Sequence, residues 1–232
     1  MTMPSLRVAV LGLIAPALAA GCTAVASRPL GIEPIRHATG MADGQVVARY
    51  IRTPRPERFS VCHEHTCHAI SEINFTADEW AGVRQGFALP ATDAVAEREL
   101  IAIAVATLEQ LVGVRIGTAN DQGRNFPGLG LSGQMDCVDE ATNTSAYLIM
   151  LQQDGLLYWH QAGPRLSRGV ERLQALHFTA TLDETATGAR FAVDSWFEAN
   201  GRPPHIVPIG DWSGGWRPPD NTAQSGRKSG RH

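Results

Sequence analysis

A single cysteine set directly behind a helix-capping aspartate constrains this chain more than any other feature. In Gly133-Gln134-Met135-Asp136-Cys137-Val138-Asp139-Glu140 the aspartate is placed to cap a helix that runs towards Gln153 and is stopped by Gly155. Cys137 then takes the first helical position. Unpaired backbone N–H groups and the positive end of the helix dipole favour an anion there and lower the pKa of a thiol. The expectation is a thiolate that needs a base.

The chain further on supplies one. Residues 176–182 and 191–197 are strand-like runs separated by the turn-rich Asp183-Glu184-Thr185-Ala186-Thr187-Gly188, a hairpin pattern. If Leu182 pairs with Ala189, His177 faces Asp194 directly, with Cβ atoms roughly 5 Å apart on one face of the sheet. A slip of one residue would put the two on opposite faces. Cysteine, histidine and aspartate in this order form a nucleophile, base and orienter set. Gln134, three residues before Cys137, has two readings of equal standing. It can reach the oxyanion position beside the Cys137 N–H, or it can satisfy backbone groups of its own loop.

On these residues the chain resembles the transglutaminase-like branch of the papain-type cysteine enzymes. Cys137 opens a helix, His177-Phe178-Thr179-Ala180 stands as the histidine strand and Phe191-Ala192-Val193-Asp194 as the aspartate strand. The resemblance covers roughly residues 133–197. It implies an α+β papain/transglutaminase-like fold, with N-terminal helices and a nucleophile helix packed on an antiparallel sheet. It also implies a Cys-His-Asp thiol hydrolase, protease or amidase, or an acyltransferase acting on amide bonds without a cofactor.

Four cysteines are present. Cys62 and Cys67 lie close together and, in an oxidising compartment, are expected to form a short-loop disulfide. The alternative is a metal site built from Cys62, His63, His65, Cys67 and His68, although no second ligand pair lies further along the chain. Cys137 is left as a free thiol, for which catalysis is the sharp reading and burial as inert packing the bland one.

Residues 1–21 carry Arg7 and then an apolar run, Val8 to Ala20, too short to span a bilayer and ending in small residues, as in a secretory signal peptide. Leu18-Ala19-Ala20-Gly21-Cys22 is similar to a bacterial lipobox, which implies lipidation at Cys22; plain cleavage near Ala20 is the other reading. The expected location is the periplasm or cell envelope, with a lipid anchor in the membrane. Removing residues 1–21 takes away Arg7 and no acidic residue, so the formal charge of −3 becomes −4. Mild acidity argues against a nucleic-acid partner. The expected substrates are peptides, proteins or peptidoglycan stems. The competing class is a non-catalytic envelope lipoprotein that binds through its Cys/His loop, with or without metal, or through its tryptophans.

The expected organisation is a tether over 22–44, one domain over 45–216 and a disordered tail over 217–232. Gln45-Val46-Val47-Ala48-Arg49-Tyr50-Ile51 is a strand candidate. Thr76 and Glu79 form a capping box, with Phe75 and Trp80 spaced as a hydrophobic staple, opening a helix to about Phe87. Thr92 or Asp93 caps a longer helix whose apolar stripe ends at Gly113, with Glu97, Arg98 and Glu109 on its solvated side. Residues 117–132 form a glycine-rich loop feeding the cysteine, residues 205–209 an edge strand, and Trp212 and Trp216 either floor a groove or plug the sheet's end. Arg124, Arg165, Arg168, Arg172 and Arg190 read as solvated surface.

Overall fold

The computed structural model describes residues 51–125, 131–169 and 175–219. The signal peptide, Cys22, the tether and nearly all of the 45–51 strand candidate lie outside the described residues, as do Arg172 and the tail from 220 onward. Of the expected tail, residues 217–219 are described, and Pro218 is buried with its carbonyl accepting from Arg124 at 3.4 Å.

The architecture is α+β. A hairpin of β1 (Phe59–His63) and β2 (Ala69–Ile73) precedes three helices, α1 (Ala77–Gln85), α2 (Ala94–Ile116) and α3 (Cys137–Gln153). An antiparallel sheet in the order β3 (His160–Arg168), β4 (His177–Glu184), β5 (Arg190–Asp194), β6 (His205–Pro208) follows, closed by the short α4 (Ile209–Ser213). The helix starts follow their caps. The Thr76 hydroxyl accepts from Glu79 N at 3.2 Å while the Glu79 carboxylate accepts from Thr76 N at 2.8 Å, and Phe75 stacks on Trp80 with ring centroids 6.2 Å apart. Asp93 caps α2 by accepting from Ala96 N at 2.8 Å.

The core lies on both sides of α3. Tyr147, Leu148, Met150 and Leu151 of α3 meet Ile101, Val105, Leu108 and Val112 of α2, Phe59 and Val61 of the hairpin, and Ala180, Leu182 and Val193 of the sheet. Of the 17 residues of α3, 14 are buried, so the helix that carries the cysteine is the centre of the domain. Its polar residues are satisfied inside. Asn143 accepts from Cys62 N at 2.7 Å and donates to Cys62 O at 2.8 Å, tying α3 to β1. The Thr144 and Ser195 hydroxyls meet at 2.9 Å. A buried amide or hydroxyl with such partners avoids a desolvation cost of about 1–3 kcal/mol.

Four local expectations are corrected. Helix α2 does not stop at Gly113 but continues to Ile116 and a left-handed Gly117 with φ of 80°. Gly113 lies inside the helix, at a point where a Cβ would come within 2.9 Å of the Asn200 side chain, so the glycine admits a close approach instead of ending the helix. Glu97 and Glu109 are buried, at 2% and 5% exposure, not solvated. Glu97 takes the N–H groups of Tyr158 and Trp159 and His160 Nδ1 at the entry to β3, while Glu109 accepts from Gly201 N. Arg98 is also held inward, on Glu184 at 3.1 Å and 4.0 Å above the Phe191 ring. Finally, Arg165, Arg168 and Arg190 are engaged with Thr142, with the Trp212 and Trp216 carbonyls and with Asp183.

Candidate active site

The β4–β5 register differs from the expected one by two residues. Leu182 pairs with Phe191 and Ala180 with Val193, which places Asp194 opposite Thr179 in the ladder's continuation and diagonal to His177. A two-residue shift keeps every side chain on its face. His177 Nε2 therefore still reaches Asp194 Oδ2 at 2.7 Å. Asp194 is 1% exposed, and the same oxygen accepts from Trp212 Nε1 at 2.7 Å. Trp212 is fully buried and is the third member of this chain, a role the sequence alone did not reveal. The His177 ring is walled by Trp196, Phe197 and Trp212, with centroids 5.0, 5.4 and 5.7 Å away. With Nε2 committed to the carboxylate, Nδ1 is the nitrogen left to take a proton.

Cys137 is the first residue of α3, as expected. The Asp136 carboxylate accepts from Val138 N and Asp139 N, both at 3.0 Å, and Asp139 reaches back to Asp136 N to complete the box. The thiol lies against β4 at the level of His177. Its sulfur is 3.9 Å from the Leu176 carbonyl and accepts from the Phe178 N–H, the backbone groups on either side of the histidine. Among the described residues no direct hydrogen bond joins Cys137 to His177.

The expectation of a resting thiolate is not met. Burial pushes the Cys137 thiol up, to about 12, and the negative charges of Asp136 and Asp194 act in the same direction. The Phe178 and Cys137 N–H groups oppose this and lose. A helix N-terminus capped by a carboxylate in a packed interior is a weaker anion site than an open one.

Gln134 is engaged by its own loop. Its Oε1 accepts from Gln122 N and Asn125 Nδ2, and its Nε2 donates to Asn120 O at 3.0 Å. The loop reading describes its contacts; an oxyanion role would require exchanging at least one of them.

Cys62 and Cys67 are joined by a disulfide. Between them Glu64, His65, Thr66 and Cys67 all have positive φ, from 53° to 63°, a left-handed turn without glycine. Such a conformation costs about 1–2 kcal/mol per residue and persists only when surrounding contacts over-determine it. The contacts come from the start of α3, where Asp136 accepts from Thr66 N at 2.9 Å and Asp139 from Cys67 N at 2.6 Å. The disulfide packs with Val138, Cys137 and Phe178. The candidate metal ligands His63, His65 and His68 do not converge with the cysteines: His63 bonds to Ser71 at 2.9 Å. Among the described residues, the group of possible ligand atoms that does converge is Cys62, Cys67 and Asp139, whose two sulfurs are bonded to each other.

Behind Asp194 lies a buried acidic cluster. Ser195 donates to Glu140 at 3.0 Å, Asp121 accepts from Met135 N at 2.8 Å, and Glu109 sits beside them with Oε1 buried and unpartnered. Burial pushes Glu109 up to about 8 and Glu140 well above the usual carboxylate range; Asp121 is raised as well. These acids pin α3, the loop carrying Asp121 and the turn after Asp194 to one another. Gly123 belongs to the same junction: a Cβ there would come within 2.4 Å of the Phe197 carbonyl.

Compared with known proteins, the chain matches no family model, no curated protein and no solved structure.

Proposed function

We propose that the chain is a papain/transglutaminase-like cysteine enzyme that transfers acyl groups from amide bonds, with water as the default acceptor. The observation that carries this reading is the Trp212–Asp194–His177 hydrogen-bond chain, both links 2.7 Å, ending in an imidazole whose backbone flanks grip the one free thiol among the described residues. His177 Nδ1 takes the Cys137 proton as sulfur attacks the carbonyl carbon. The C–N bond then breaks and the same proton goes to the leaving amine. Water adds to the thioester with His177 again as base, and the C–S bond breaks to restore the thiol. Asp194 fixes the ring's tautomer and stabilises the imidazolium, and Trp212 holds Asp194. The Cys137 N–H, which lies at its own sulfur, is the oxyanion donor.

Because burial keeps the resting thiol protonated, His177 works as a general base at the moment of attack instead of sharing a preformed ion pair. With the export signal and lipobox-like segment, the reading is of an envelope lipoprotein anchored through Cys22 and acting on peptides or peptidoglycan stems.

The test is labelling of the native protein by iodoacetamide across pH, located by mass spectrometry. Cys137 is expected to label in the folded state, and His177→Ala is expected to slow that labelling at every pH tested. A thiol inert until the protein unfolds would make Cys137 packing and sink the assignment.

A further inference from the structure

A cleft of about 310 Å³ is lined by His177 and, among the described residues, by no residue of α3. His177, Trp196 and Phe197 form its apolar wall; among the described residues its permanently charged lining groups are both guanidinium, Arg168 and Arg217, and none is a carboxylate. Arg168 is fixed in place. It donates to the Trp212 and Trp216 carbonyls and its guanidinium lies 4.5 Å from the Trp212 ring centroid. Arg217 is exposed and forms no ion pair among the described residues. Two guanidinium groups beside aromatic faces suit a carboxylate attached to an apolar stem, because the planar fork matches carboxylate oxygens.

The side of the site on which the cleft lies decides what enters it. Cys137 keeps the acyl half of the substrate at the start of α3, and the amine departs past His177, which must protonate it. We propose that this cleft binds the leaving half of the substrate and that this half carries a free carboxylate, held by Arg168 and Arg217. The assignment to the leaving half rests on the cysteine-enzyme reading; carboxylate binding itself does not. The carboxylate is the chain terminus of the departing peptide or an acidic side chain on it.

Calorimetry on the full chain separates these. The probes are the dipeptide Ala-Phe, its amide Ala-Phe-NH2, and Glu-Phe-NH2, each titrated into the native protein and into Arg217→Gln. Ala-Phe is expected to bind at least tenfold more tightly than Ala-Phe-NH2, and Arg217→Gln to bring the two within threefold. Glu-Phe-NH2 binding as tightly as Ala-Phe assigns the site to a side-chain carboxylate; binding as weakly as Ala-Phe-NH2 assigns it to a terminal one. Equal binding of all three, no binding of any, or a preference that survives Arg217→Gln would overturn the proposal. Since the readout is binding, it is independent of Cys137 labelling, and either reading can fail while the other stands. Arg217 is exposed, so its substitution leaves the fold intact, which an unchanged melting curve verifies.

Discussion

Cys137→Ala is expected to abolish acyl transfer while leaving the protein folded. With p-nitrophenyl acetate as a generic acyl donor, the wild type should release a burst of p-nitrophenolate and gain one acetyl group on Cys137, seen by intact mass; the variant should do neither. The loss in kcat on a true amide substrate should reach about 10⁴-fold or more, as for nucleophiles in comparable triads. Folding should survive because the thiol contributes one small, partly buried group beside Ile70 and Phe178. Asp194→Asn should cost about 10³- to 10⁴-fold, because a neutral amide does not stabilise the imidazolium formed during attack and can turn its NH2 to the ring, favouring the wrong tautomer. The double variant should be no worse than the worse single one, since the residues act as a unit. Additive losses, or an alanine variant that still acquires the acetyl group, would remove the triad from consideration.

The second large effect is on stability. Glu109 lies inside, facing Ser195 and the Gly201 N–H, with Asp121 and Glu140 as its acidic neighbours. Its carboxyl is neutral in the native state up to about pH 8, whereas an unfolded glutamate ionises near 4.5. Between those values the unfolded chain has fewer protons bound, so stability falls as pH rises. The contribution is fully present below about 4.5 and is lost on passing through about 8. Glu109→Gln keeps the shape and cannot ionise. It should be near neutral at pH 5 and more stable than wild type at pH 8–9 by a few kcal/mol. Urea melts at a series of pH values measure this, and parallel pH profiles for the two proteins would show that Glu109 does not carry the effect.

Local chemistry was legible in the residues and partner choice was not. Thr76 with Glu79, Asp93 and Asp136 announce helix starts because a cap reaches only two or three residues ahead. The β4–β5 hairpin is visible for the same reason, but its register is off by two because the loop before Ala189 absorbs residues without altering the alternation. Strand β3 was missed. Gly163 and Pro164 sit at an irregularity in its pairing with β4, and both residues count against a strand when read singly. Glu97 and Glu109 were placed in solvent because their partners lie 63 and 92 residues away. Trp212 was visible as an aromatic residue near the sheet's end, but the direction of its N–H depends on where Asp194 comes to rest.

The burial of α3 bears on how the molecule breathes. Its backbone amides are shielded by the sheet on one side and by α2 and the β1–β2 hairpin on the other, so they can meet solvent deuterons only when the whole domain opens. Helix α1 can peel away in a smaller excursion, because of its residues only Trp80 and Val83 are buried. The sulfur thus sits at the edge of a helix of which 14 of 17 residues are buried, so motion that opens the site is expected in the strands and loops around it.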